Sequence, residues 1–212
     1  MQNEALGARK RSDLAGIGLA VLSAAAFGTL AILAKLGYEQ GAGPIPLLAA
    51  RFAFAAVALV VYHVVARRPL IPNARIVVSL VLLGGLGYGF EASLFFIALT
   101  KAPAGVVSLI FYSYPLLTNV LGLATGLEKF RPRLLLALGL GSTGVAFVFT
   151  IGSADKAGLL LALGAALAVA IYILLAQVVV KDVPASLSAT WTSVGAAASL
   201  SIAAIVSGQR LP

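Results

Sequence analysis

Pro46-Leu-Leu-Ala-Ala-Arg51-Phe-Ala-Phe-Ala-Ala-Val-Ala-Leu-Val-Val-Tyr62-His63-Val-Val-Ala66 is apolar at nearly every position, yet it holds one full charge. A helix needs about 20 such residues to cross a bilayer, and this run is long enough. A second run, 76–99, holds Glu91 in the same way. A charge inside a spanning helix costs about 2.5–3.5 kcal/mol on insertion scales, so it is kept where it faces a protein interior or a water-filled path. Arg51 and Glu91 are opposite in sign and lie on consecutive spans, which points to a built polar site.

The rest of the chain repeats the apolar pattern. Of 212 residues, 61% are hydrophobic and 10% charged, with a mean hydropathy of +1.06. Soluble domains carry about 25% charged residues, so a soluble core is excluded. Seven segments approach spanning length: 14–36, 46–66, 76–99, 103–125, 133–152, 157–180 and 186–207. The fold expected is all-α and polytopic. Arg9, Lys10 and Arg11 before the first run imitate a signal peptide, but the run continues to Ala34, too long for one.

The net charge of +8 belongs to short loops and argues for orientation, not for nucleic acid. Arg9, Lys10, Arg11, Arg67, Arg68, Arg75, Lys129, Arg131, Arg133 and Lys181 fall on one side; Lys35, Lys101, Lys156 and Arg210 fall on the other. The richer side is expected to be cytoplasmic and to hold the amino terminus. Pro44, Pro46, Pro69, Pro72, Pro132 and Pro184 punctuate the loops.

Span six echoes span one. With Gly16 set against Gly158, the residues Leu19, Ala20, Ala24, Ala26, Leu33 and Ala34 fall on Leu161, Ala162, Ala166, Ala168, Leu175 and Ala176. Five spans separate the two starts, an odd number, so the copies would be inverted in the membrane. That is the architecture of many secondary transporters.

Depth and helical spacing gather the other candidates. Arg51 lies about 7–8 Å below the end of its helix near Pro46, Glu91 about 12 Å below Leu99, and Tyr112 about 12 Å below Pro103, at about 1.5 Å per residue. Ser108, Tyr112, Pro115 and Asn119 follow a 4-3-4 spacing and share a face. Pro115 deletes a helical hydrogen bond and marks a kink. Gly84, Tyr88, Glu91 and Phe95 share a face on span three. Arg51, Glu91, Tyr88, Ser108, Tyr112 and Asn119 are therefore the candidate substrate-binding residues. Tyr114 and Thr118 lie on another side of span four. Arg51 and Glu91 could instead form a purely structural pair, or not touch. Proton coupling through Glu91 ranks low beside a guanidinium.

Other signals read as structure. Gly139-Leu-Gly-Ser-Thr-Gly144 matches a dinucleotide fingerprint in letters, but it sits inside a span, without the required strand and acidic residue. Helix packing accounts for it, as for Ala24 with Gly28 and for the glycines at 84, 85, 87 and 89. His63 belongs at the membrane interface, as do Tyr38 and Trp191. Tyr172 faces either the interior or lipid. Cysteine is absent, which removes disulfides and thiolate metal sites. No metal, cofactor or catalytic set is expected; His63 and Ser142 differ too much in depth to act together.

The stretch Ala98-Leu-Thr-Lys-Ala-Pro-Ala-Gly-Val-Val-Ser-Leu-Ile-Phe-Tyr-Ser-Tyr-Pro115-Leu-Leu, running on to Gly126-Leu-Glu128, resembles the EamA-type branch of the drug/metabolite transporter superfamily. Ala49-Ala-Arg51-Phe52 resembles that family's second-helix segment. Leu127 departs from the glycine usual there. The resemblance implies a cytoplasmic tail over 1–13, one complete five-helix repeat over 14–152 and the start of an inverted second repeat over 157–212. It also implies export or import of small metabolites such as amino acids by alternating access in the cell membrane, with Arg51 near the central cavity. Ten helices are usual, so this chain is about three short. It is then either part of a longer product or a shortened form that works by assembly, for example as a homodimer. Lipid and a small-molecule substrate are the partners expected. A non-transporting scaffold and a lipid-handling protein are the competing readings.

Overall fold

A computed structural model describes residues 2–71, 73–127, 139, 143, 155–181 and 183–208, with side chains from Gly16 onward. Those residues form helices and loops, with no strand among them. The helices are α1 (Gln2–Glu39), α2 (Pro44–Val65), α3 (Ala74–Leu82), α4 (Gly89–Lys101), α5 (Ala104–Phe111), α6 (Tyr114–Ala124), α7 (Lys156–Val179) and α8 (Ala185–Val206). A wider π turn, Leu83–Tyr88, joins α3 to α4.

Six stretches among the described residues are long and apolar enough to cross a membrane: Gly16–Glu39, Pro44–Val65, Ala74–Lys101, Ala104–Ala124, Lys156–Val179 and Ala185–Val206. Each lies within a few residues of an expected span. The protein is a polytopic membrane protein. Apart from residues 139 and 143, the span expected over 133–152 lies outside the described residues, as does the rest of the Gly139–Gly144 motif.

Local chemistry sets the helix starts. Pro44 opens α2, where its missing N–H is no loss. Asn73 Oδ1 accepts from the Arg75 amide at 2.9 Å, and Asp155 Oδ1 from the Ala157 amide at 3.0 Å. α2 ends on Arg67, which takes the left-handed conformation at φ 51°.

Two ends of the bundle can be told apart. One, here the Lys101 end, holds the α1–α2 turn, the α4–α5 turn and the start of α7, whose Gly158 abuts Lys101 and Ala102. The other, the Arg67 end, holds the α2–α3 loop. The start of α8 is tied there, because Trp191 Nε1 donates to Leu70 O at 2.8 Å.

α2 lies along α8 and α4 along α7. The buried apolar cluster gathers Leu48, Phe96, Leu99, Val107, Ile110, Leu159 and Ala162, so much of the core lies toward the Lys101 end. Tyr38, expected only in an aromatic belt, also pins α1 there: its hydroxyl donates to Phe96 O at 3.0 Å. Tyr38→Phe removes that bond and is expected to cost about 0.5–1.5 kcal/mol, read as a lower midpoint of thermal unfolding in detergent.

Candidate functional site

A cavity of about 1110 Å³ lies between α1, α2, the π turn with α4, the α5–α6 junction, α7 and α8. That is just above the ~300–1,000 Å³ usual for small-molecule sites. Arg51, Tyr88, Glu91 and Tyr112 all line it. Aromatic rings from Phe52, Phe95, Phe111, Tyr114 and Tyr172 also line it. Toward the Arg67 end the wall becomes small and polar, with Ser23, Ser188, Thr192 and Ser193.

The two charges share this cavity without closing into an ion pair. The Arg51 guanidinium lies over the Phe52 ring, 5.1 Å from its centroid. This placement is a cation–π contact. It still acts electrostatically on Tyr88 and Glu91. Glu91 is 3% exposed, and its Oε2 has no hydrogen-bond partner. A buried polar atom without a partner is costly, so a group that satisfies it gains correspondingly.

Tyr88 closes the π turn and Glu91 stands in the first turn of α4; both line the cavity. Wider turns of this kind interrupt the regular ladder and are frequent at functional sites. Its glycines let the α3–α4 span press on α8: Gly84 meets the Thr192 backbone, and Gly85 meets the Gly195 carbonyl. Tyr88 stacks on Tyr172, with centroids 5.3 Å apart and planes 22° apart, and meets Phe52 edge-on at 5.2 Å. Tyr172 thus faces the interior.

Span four departs from the continuous helix assumed above. Proline at 115 removes the amide that would bond to Phe111 O. The helix breaks at Tyr112–Ser113, just before it. Residues two apart cannot share a face on an unbroken helix, yet Tyr112 and Tyr114 both reach the cavity. Beyond the break the 4-3-4 face is lost. Asn119 Nδ2 donates to Pro115 O at 2.7 Å, within its own helix, and neither Asn119 nor Ser108 lines the cavity. Thr118 likewise bonds back to Tyr114 O.

His63, two residues from the end of α2, is 2% exposed and neither ring nitrogen has a partner. One further expectation changes. Gly28 is not packed, because a Cβ placed there would meet nothing within 4 Å. No group of acidic or histidine residues able to hold a metal occurs among the described residues.

The model of the EamA-like transporter family matches residues 14–150 of the chain. No curated protein and no solved structure matches it.

Proposed function

Because the chain belongs to the EamA-like transporter family, we propose that it is a secondary transporter of small amphipathic metabolites, and that the cavity at Arg51 and Glu91 is its substrate site. The observation that carries this reading is the pair of opposite charges facing one large cavity while unpaired with each other. A zwitterion such as an amino acid offers a carboxylate to Arg51 and an ammonium to Glu91, and its side chain rests on the aromatic wall. Tyr88 and Tyr112 add hydroxyls for orientation. Transport proceeds by alternating access at the cell membrane, with the Arg67 end cytoplasmic because basic residues concentrate there.

A non-transporting scaffold would use the same charges only for packing. The double variant Arg51→Met, Glu91→Met separates the two readings, because apolar replacement of buried charges is often neutral for stability. The variant is expected to insert and purify like the parent while losing uptake of radiolabelled amino acids into proteoliposomes. Retained uptake in that variant would sink the site assignment. Absence of uptake by the parent across amino acids and other small zwitterions would favour the scaffold.

A further inference from the structure

Opposite charges that face one desolvated cavity attract strongly. Arg51 and Glu91 line the same cavity and act on each other electrostatically. They nevertheless stay apart, and Glu91 Oε2 has no partner. Some other contact must hold the guanidinium back. The contact it makes is with Phe52, the next residue of α2, whose ring is 3% exposed. The guanidinium carbon lies 5.1 Å from the centroid of that ring.

The ring is itself boxed in. Phe52 meets the Tyr88 ring edge-on, with centroids 5.2 Å apart and planes at 78°. Tyr88 is stacked in turn on Tyr172, 5.3 Å away. α2, the π turn and α7 thus each give one ring to a continuous row. Tyr88 also feels both charges, and it precedes Glu91 by one helical turn. A ring held on its edge by such a row keeps its face in place. A guanidinium resting on that face uses only its plane. Its N–H edge stays free as a fork for a carboxylate.

We propose that Phe52 is a positioning residue whose ring face holds the Arg51 guanidinium away from Glu91, so that both charges stay open to a zwitterion. Without that face the guanidinium falls onto the Glu91 carboxylate. Substrate must then break an ion pair before it binds, whereas a site held open is pre-organised and binds at lower cost. The negative face of an aromatic ring is what the role requires; leucine would fill the space but attract no cation. The inference rests on the carrier reading, and one half of its test does not depend on transport.

That half is a double-mutant cycle in thermal stability, measured in detergent. In the parent, Glu91→Gln breaks no ion pair and is expected to leave the unfolding midpoint unchanged or raise it. In the Phe52→Leu protein the same change breaks the new pair, which is costly. There it is expected to lower the midpoint by at least about 2 °C. A trifluorinated phenylalanine at position 52 repeats the cycle with the ring's outline kept and its face depleted of charge, and it decides alone should Phe52→Leu fail to fold. An equal effect of Glu91→Gln in all backgrounds would overturn the proposal. The other half is amino-acid uptake into proteoliposomes. The fluorinated protein is expected to need about fivefold more substrate for half-saturation, with a maximal rate within about twofold of the parent. Unchanged half-saturation would mean that the ring only packs, and a lower value that substrate lifts the guanidinium off it; either overturns the role. Were the parent to carry no solute, the carrier reading would fail by itself. The stability cycle would still decide whether Phe52 holds the charges apart.

Discussion

Arg51→Ala is expected to lower transport by roughly 30-fold or more and to leave membrane insertion and yield unchanged. Truncating one partner of a desolvated, hydrogen-bonded charge pair costs about 2–5 kcal/mol, and about 1.4 kcal/mol is tenfold in an equilibrium. In the free protein Arg51 has no carboxylate to lose, since it lies over Phe52 and forms no ion pair. The loss therefore falls on the substrate-bound state. Initial rates in proteoliposomes across a range of substrate concentrations check this, with monodispersity in detergent as the folding control. Arg51→Lys keeps the charge but not the planar fork, so a partial loss is expected. A wild-type rate in Arg51→Ala would remove the residue from the site. Loss of folded protein in that variant would instead assign it to structure.

The spans could be read from the sequence because a bilayer sets a length and punishes charge, and both limits show in composition. Arg51 and Glu91 could be read for the same reason: each is costly where it stands, so depth alone singles it out. Which neighbours join them was less legible. The 4-3-4 pattern from Ser108 to Asn119 assumed an unbroken helix. Pro115 was visible as a kink, but the rotation it imposes depends on where the backbone breaks. The break at Tyr112–Ser113 brings Tyr114 in and leaves Asn119 bonded within its own helix. Tyr172 joined the wall through α7, whose position against α4 no local pattern encodes. Small residues showed the same limit. Gly84 and Gly28 look alike as letters; one is pressed on Thr192 and the other borders open space.

That difference sets the second large effect. A Cβ on Gly84 would lie 2.6 Å from Thr192 Cα, and one on Gly195 would lie 2.8 Å from Val81 C. Real β-carbons do not approach backbone so closely, so either methyl forces the α3–α4 span away from α8. Overpacking of this kind costs about 1–3 kcal/mol, against a gain of about 0.8–1.0 kcal/mol when alanine replaces glycine in a helix. At Gly84 and Gly195 the clash wins, because the neighbour is backbone and cannot rotate aside. Gly84→Ala and Gly195→Ala are expected to lower the midpoint of thermal unfolding in detergent, and Gly84→Leu to abolish recovery of folded protein. At Gly28 only the propensity gain remains, so Gly28→Ala is expected to leave the midpoint unchanged or raise it. The two harmful sites share one crossing, so their costs are expected to add less than fully: a span already displaced by one methyl has room for the other. Equal midpoints for Gly84→Ala and Gly28→Ala would mean that the α3–α4 span does not approach α8 this closely. Glu91, carried on the same span, would then stand elsewhere relative to Arg51.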